Sequence, residues 1–180
     1  ALRAVWPDAA VWHGRTAGDW VWDMDSPAPH LPARTAGIIC LAGATDGDAD
    51  RLSTNTTCAL AALTLARRDG LWPLLVLSSA AIYGRAGTPG RETDPMPPTT
   101  PYGAAKQAME QALLTAARPD EPIWILRMAN VAGCDALFAA MARGSVTMDR
   151  FPDGRSPTAV FVADDVDVRL TWVLVWLLPV

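Results

Sequence analysis

The chain of 180 residues has little of what builds metal or disulfide scaffolds. It holds three cysteines, Cys40, Cys58 and Cys134, widely spaced and odd in number, with no CxxC pair and no Cys/His cluster. That pattern excludes a zinc ribbon or a disulfide framework and predicts no metal site. Three small core residues in a reducing, cytoplasmic compartment fit it better. Its two histidines, His13 and His30, stand apart in sequence and read as loop or strand-end residues. Positive charge is sparse as well: the formal net charge is -4, and no Lys/Arg cluster is longer than Arg67-Arg68. An electrostatic grip on nucleic acid is therefore not expected. No signal-like segment opens the chain. The apolar tail Leu170–Val180 falls short of the ~20 residues a bilayer span needs, so no membrane partner is expected. That tail reads either as a core helix cut off mid-element or as a stretch foreign to the fold, because no cap, glycine or polar turn closes it.

What is present suits a globular protein. Hydrophobic residues make up 51% and charged residues 19%, enough for a sizeable core. The length predicts one domain over residues 1–180. Strand-like and helix-like segments alternate. Ala10–His13, Trp20–Trp22, Gly37–Leu41, Leu74–Ser78, Ile123–Arg127 and Ala159–Val162 read as short buried strands. Asn55–Arg68 reads as a helix stopped by Gly70, Pro101–Ala117 as a helix opened by proline, and Ala136–Arg143 as a third. The Gly/Pro/Thr-rich stretch Gly84–Thr100 must be loop. Such alternation predicts an α/β fold, a Rossmann-like doubly wound parallel sheet with helices on both faces. Ligands of these sheets lie beyond the carboxyl ends of the strands. The residues there are Arg15, Asp23, Ala42-Gly43, Ser78-Ser79 and Asn130.

Tyr102 and Lys106 are four apart on the predicted helix, which places both side chains on one face. A free tyrosine has a pKa of about 10, too high for a base at neutral pH. A nearby ammonium favours the phenolate, and bringing the value near 7 needs roughly 4 kcal/mol of differential interaction. Ser79, at a strand end, is placed to hydrogen-bond a substrate oxygen against Tyr102. This set predicts proton transfer at a hydroxyl or ketone.

A Tyr/Lys pair at this spacing is weak by itself, but its context is specific. The order VLSSAAIYG, then Glu92, then PYGAAKQAMEQ, then ILRMANVAG resembles the extended short-chain dehydrogenase/reductase family of NAD-dependent epimerases and dehydratases acting on nucleotide sugars. The resemblance runs over about residues 10 to 168. It implies Ser79, rather than Ser78, with Tyr102 and Lys106 as the catalytic set. It also implies that Leu41, Ala42 and Gly43 let the backbone approach the cofactor, with Ser78, Tyr102 and Lys106 nearby. Asp23 and Met24 correspond to a pair that holds adenine, and Asn55 to a residue that orders the active-site water, although a helix cap explains Asn55 equally. Met128, Asn130 and Val131 match a segment that packs near the nicotinamide, and FVADDV (161 to 166) a structural element. The family's helices equivalent to Asn55–Arg68 and Pro101–Ala117 often pair copies, which implies a homodimer.

The chain also departs from that pattern. The family's GxxGxxG after a first strand has one literal match, Gly84, Gly87 and Gly90, but it opens into RETDPMPP, which cannot be a helix. The chain is therefore expected to lack the first strand and its glycine loop, and to be truncated in a substrate-binding region from about residue 145. Alone it would bind a dinucleotide weakly or not at all. Arg15 follows the second strand, where an arginine accommodates a 2′-phosphate, so of NAD and NADP the sequence leans to NADP. Ser79-Ala80-Ala81 stands where a dehydratase would carry Thr-Asp-Glu, which leaves epimerase or reductase chemistry on a nucleotide-sugar-like small molecule. A non-catalytic relative that senses a dinucleotide or binds a partner is the competing reading.

Overall fold

A computed structural model describes residues 13–14, 20–24, 26–33, 35–84, 93, 97–128, 130–131, 160–161 and 177–179. Its centre is a sheet in the order β3-β4-β5-β8, formed by β3 (Ile38–Cys40), β4 (Leu74–Ser79), β5 (Ile123–Met128) and β8 (Leu177–Pro179). The first three run parallel, with Ile38 opposite Leu74 and Leu74 opposite Ile123. β8 closes the order antiparallel to β5. Two parallel pairs lie outside this sheet: β1 (His13–Gly14) with β2 (Trp20–Val21), and β6 (Asn130–Val131) with β7 (Val160–Phe161).

Helix α1 (Ala49–Asp69) connects β3 to β4, and α2 (Pro101–Ala116) connects β4 to β5. α1 starts six residues earlier than its Ala/Leu-rich stretch predicts, because Asp48 caps it by accepting from Arg51 N at 2.9 Å. It ends as expected at Gly70, whose φ of 65° suits a left-handed cap. Its buried residues Leu52, Asn55, Ala59, Ala62 and Ala66 recur at alternating steps of three and four, one stripe facing the core. In α2 the stripe is Gly103, Lys106, Glu110 and Leu113. Thr100 caps that helix from Gly103 N at 3.0 Å, and Pro101 occupies the first turn, where its missing N–H costs nothing.

The helices pack on each other and on one face of the sheet, around Leu63, Leu74, Val76, Met109, Leu113 and Ile125. Along β4 burial alternates, so Leu74, Val76 and Ser78 point under the helices while Leu75, Leu77 and Ser79 point to the opposite face. The parallel α/β class is as the sequence predicts. Among the described residues, however, both helices cover the same face, and Ile39 and Trp124 on the sheet are exposed. Ahead of the stretch predicted as loop, Ala80–Tyr83 forms a 3-10 helix. One local reading is corrected. Within the apolar tail, Leu177–Pro179 is a strand rather than a helix, held by pairing with Trp124–Leu126. The predicted helix Ala136–Arg143 lies outside the described residues. Among the described residues no helix is long and apolar enough to cross a membrane.

One ion pair ties the far ends of the helices together. The Arg67 guanidinium donates to Glu121 Oε1 at 2.6 Å, to Glu121 Oε2 at 2.7 Å and to Ala116 O at 2.6 Å. Arg118 N adds a bond to Oε2 at 2.9 Å. The Arg67 hydrogen bonds, more than any other cause, move the Glu121 carboxyl from an ordinary 4.5 to about 2. A depressed carboxyl contributes stability that is full above its unfolded value and lost as pH falls through its folded one. The loss is therefore expected between pH 4.5 and about 2. Glu121→Gln should cost about 2 kcal/mol at neutral pH and flatten the acid dependence in that window. Urea denaturation at several pH values measures both; equal midpoints at pH 7 with parallel acid limbs would rule the pair out as the cause.

Candidate active site

The sheet's carboxyl edge gathers the polar residues. Ser79 ends β4 and caps the 3-10 helix, its Oγ accepting from Ala81 N at 3.1 Å. Tyr102 stands in the first turn of α2, half-buried. These two elements meet closely because residue 103 has no side chain: a Cβ on Gly103 would lie 2.5 Å from Ala81 O. The approach brings the Ser79 side chain close enough to the Tyr102 phenol to favour its ionised form. Adjacent strand residues face opposite ways, so Ser78 is buried beneath the helices while Ser79 meets the tyrosine.

Lys106, one turn along α2, is 5% exposed. Its Nζ lies 6.0 Å from the centre of the Tyr102 ring, donates to Leu77 O at 2.8 Å and sits 3.9 Å from Met109 Sδ. Burial pulls the ammonium's pKa down, opposed by the charges of Cys40, Cys58 and Glu110. Burial also pushes the Tyr102 phenol up from its ordinary value, only partly offset by Ser79. The lowering expected from Lys106 is thus not what the protein alone produces: desolvation of the half-buried ring sets the direction, and Ser79 rather than the ammonium opposes it. The phenol is neutral at pH 7 until further positive charge arrives.

On the β3 side, Leu41, Ala42 and Gly43 follow the strand and are exposed. Gly43 has a φ of 149°, a conformation that side-chain-bearing residues rarely adopt. A Cβ there would collide with Asn55 Oδ1 and stand 3.6 Å from Lys106 Nζ. Asn55 is fully buried, and its Nδ2 donates to Ala44 O and Leu52 O, both at 2.9 Å. Those bonds fix the amide's orientation and leave Oδ1 facing Gly43 without a hydrogen-bond partner. Ser78 Oγ is likewise buried and unpartnered. Buried polar atoms without partners are uncommon. Two of them, one on α1 facing the residues after β3 and one near the end of β4, beside a glycine shelf, fit the polar edge of a bound dinucleotide.

The remaining expected contacts are more scattered. Asp23 is exposed, its carbonyl accepting from Ser26 N at 2.8 Å, while Met24 packs against the core. Met128 is half-buried at the end of β5 opposite Ser79. Asn130 and Val131 form β6 beside β7. Arg15, on which the lean to NADP rested, lies outside the described residues, as do Gly87 and Gly90. Sequence reasoning missed Thr100, Gly103 and the Glu110–Arg127 pair. The YG after Pro101 was a usable signal for Gly103, since a glycine inside a helix's first turn implies a close neighbour.

With this geometry in place, the family is clear. The model of the NAD dependent epimerase/dehydratase family matches residues 29–159, and the chain belongs to that family. The chain is 36% identical over 101 residues to a UDP-glucose 4-epimerase of Lacticaseibacillus casei, covering 55% of this chain and 29% of that protein. It is 37% identical over 102 residues to the UDP-glucose 4-epimerase of Azospirillum brasilense, covering 56% and 29%. The matched stretch thus spans under a third of the length of the curated relatives. Among solved structures, a UDP-galactose 4-epimerase superposes with a TM-score of 0.51 at 25% identity, covering 61% of this chain and 42% of that one.

Proposed function

We propose that the chain carries the catalytic side of an NAD-dependent enzyme that epimerises a UDP-linked hexose at a hydroxyl-bearing carbon. The observation that carries this reading is the convergence of Ser79, Tyr102 and Lys106 at one sheet edge, on elements locked together through Gly103. Tyr102 Oη accepts the proton of the sugar hydroxyl and returns it to the same oxygen. Ser79 Oγ hydrogen-bonds that oxygen and keeps it within reach of the phenol. Lys106 holds its charge beside the ring and favours the phenolate. Gly43 and Asn55 provide the backbone shelf and the amide oxygen that receive the dinucleotide. When bound, the nicotinamide supplies the hydride acceptor and donor. Ala80 and Ala81 have no acid or base to offer, which argues against elimination of water from the sugar. The family's description favours NAD over NADP.

A dinucleotide sensor without catalysis is the weaker reading, because it needs no phenol held against a hydroxyl and an ammonium. Incubation of the protein with UDP-glucose and NAD, followed by anion-exchange chromatography, tests the proposal. UDP-galactose is the expected product. Failure to interconvert either hexose while NAD binds would favour the sensor.

A further inference from the structure

A buried ion pair behind the site has no part in proton transfer as described above. Glu110 follows Lys106 by one helical turn on the inner stripe of α2 and is 3% exposed. Arg127 of β5 donates from Nε to Glu110 Oε1 at 3.1 Å and to Oε2 at 3.2 Å, and from Nη2 to Oε2 at 2.7 Å. Its Nη1 donates to Tyr83 Oη at 2.8 Å, and its guanidinium carbon stands 5.1 Å from the centre of the Tyr83 ring. Tyr83 closes the 3-10 helix that Ser79 opens. One pair therefore joins the helix bearing Tyr102 and Lys106 to the turn bearing Ser79, through the strand beside both.

We propose that Glu110, held by Arg127 and Tyr83, is a positioning residue that keeps Lys106 charged and fixes the Ser79 turn against α2. The inference rests on the epimerase reading for its meaning but not for its test. A buried ion pair gives little stability over apolar residues of the same volume, because both charges must leave water. Leucines would bridge the same elements. What they would not supply is negative charge one turn from an ammonium whose hydrogen-bond acceptors, Leu77 O and Met109 Sδ, are neutral. The other titratable groups around Lys106 are Tyr102 on α2, Cys40 from β3 and Cys58 from α1. The phenol is neutral at pH 7, and burial raises the Cys40 thiol, so that it too stays protonated there, which leaves Cys58 and Glu110 as the groups that favour the ammonium. Arg127 on β5 is a second cation beyond Glu110. Removing the carboxylate takes away an attraction for the ammonium and exposes it to Arg127, and both changes favour the neutral amine.

The sequence makes this measurable without substrate or cofactor, because Lys106 is the only lysine among the 15 Lys and Arg residues. Reductive methylation with carbon-13 formaldehyde labels its amine and the chain's α-amine, which differ in chemical shift. In Glu110→Gln the Lys106 midpoint should fall by about one unit. The paired replacement Glu110→Leu with Arg127→Leu should lower it by less, because the repulsion from Arg127 goes together with the attraction, and it keeps an apolar bridge should the single variant fail to fold. In turnover, the alkaline limb of kcat/KM should move to lower pH by the same amount. An unchanged Lys106 midpoint in a folded variant overturns the proposal, whether or not the wild-type protein epimerises UDP-glucose. Loss of the epimerase reading alone leaves the midpoint shift standing.

Discussion

Tyr102→Phe lowers turnover by about a hundredfold to ten-thousandfold, the range that a positioned general acid or base contributes. The expectation follows from what the substitution keeps and removes. The ring stays, so the first turn of α2 still packs, Gly103 still approaches Ala81 O, and Lys106 Nζ still has an aromatic face 6.0 Å away. Only the hydroxyl goes, together with its polar interaction with Ser79. Folding stability should change by no more than about 1 kcal/mol, the value of one half-buried hydrogen bond. NAD affinity should hold within about threefold, so the defect falls in kcat rather than in binding. Ser79 and Lys106 cannot replace the phenol. A serine hydroxyl is a far weaker acid, and the Lys106 ammonium is turned to Leu77 O at 2.8 Å. Steady-state kinetics with UDP-glucose beside calorimetric NAD titration measures the split. Turnover undiminished in a folded Phe variant removes Tyr102 from the chemistry.

Much of the site was legible because the family pattern is local. A serine at a strand end, a tyrosine at a proline-opened helix and a lysine four residues on are sequence neighbours of the elements that place them. What was not legible depended on contacts across the fold. The choice of Ser79 over Ser78 rested on the family pattern alone; the strand parity that puts the two on opposite faces is visible only in the structure. Glu110 and Arg127 meet only because β5 lies beside β4, 17 residues apart in sequence. The direction of the Tyr102 shift could not be read at all, since the Tyr/Lys spacing reports charge but not burial. The start of α1 was misplaced for a simpler reason: Asp48 is a strong cap, but the polar residues after it disguise the first turns as loop. The alternation of strand-like and helix-like segments, by contrast, set the α/β class without any such contact.

Gly43→Ala should be the most damaging small change on the cofactor side. Two costs add. The backbone at φ 149° is open to glycine and strained for alanine, worth about 1–3 kcal/mol. The new methyl would also collide with Asn55 Oδ1. A flexible side chain would swing away, but this one is fully buried and tied by Nδ2 to Ala44 O and Leu52 O, both at 2.9 Å. Relief therefore requires breaking those bonds or shifting the β3 end away from α1. Either route moves the shelf on which the dinucleotide is proposed to rest. NAD affinity should fall by at least about a hundredfold, roughly 3 kcal/mol, with a lower melting temperature. Asn55 provides the control. Asn55→Ala alone should weaken binding and stability, because Ala44 O loses its donor. In the double variant the clash is gone, so the two losses should be less than additive, with a coupling of about 1 kcal/mol or more. A thermal melt of the four proteins measures this without any ligand, and NAD titration measures it again through the site. Strictly additive losses would mean that Gly43 and Asn55 do not share the space, and the dinucleotide shelf would then have to be drawn without them.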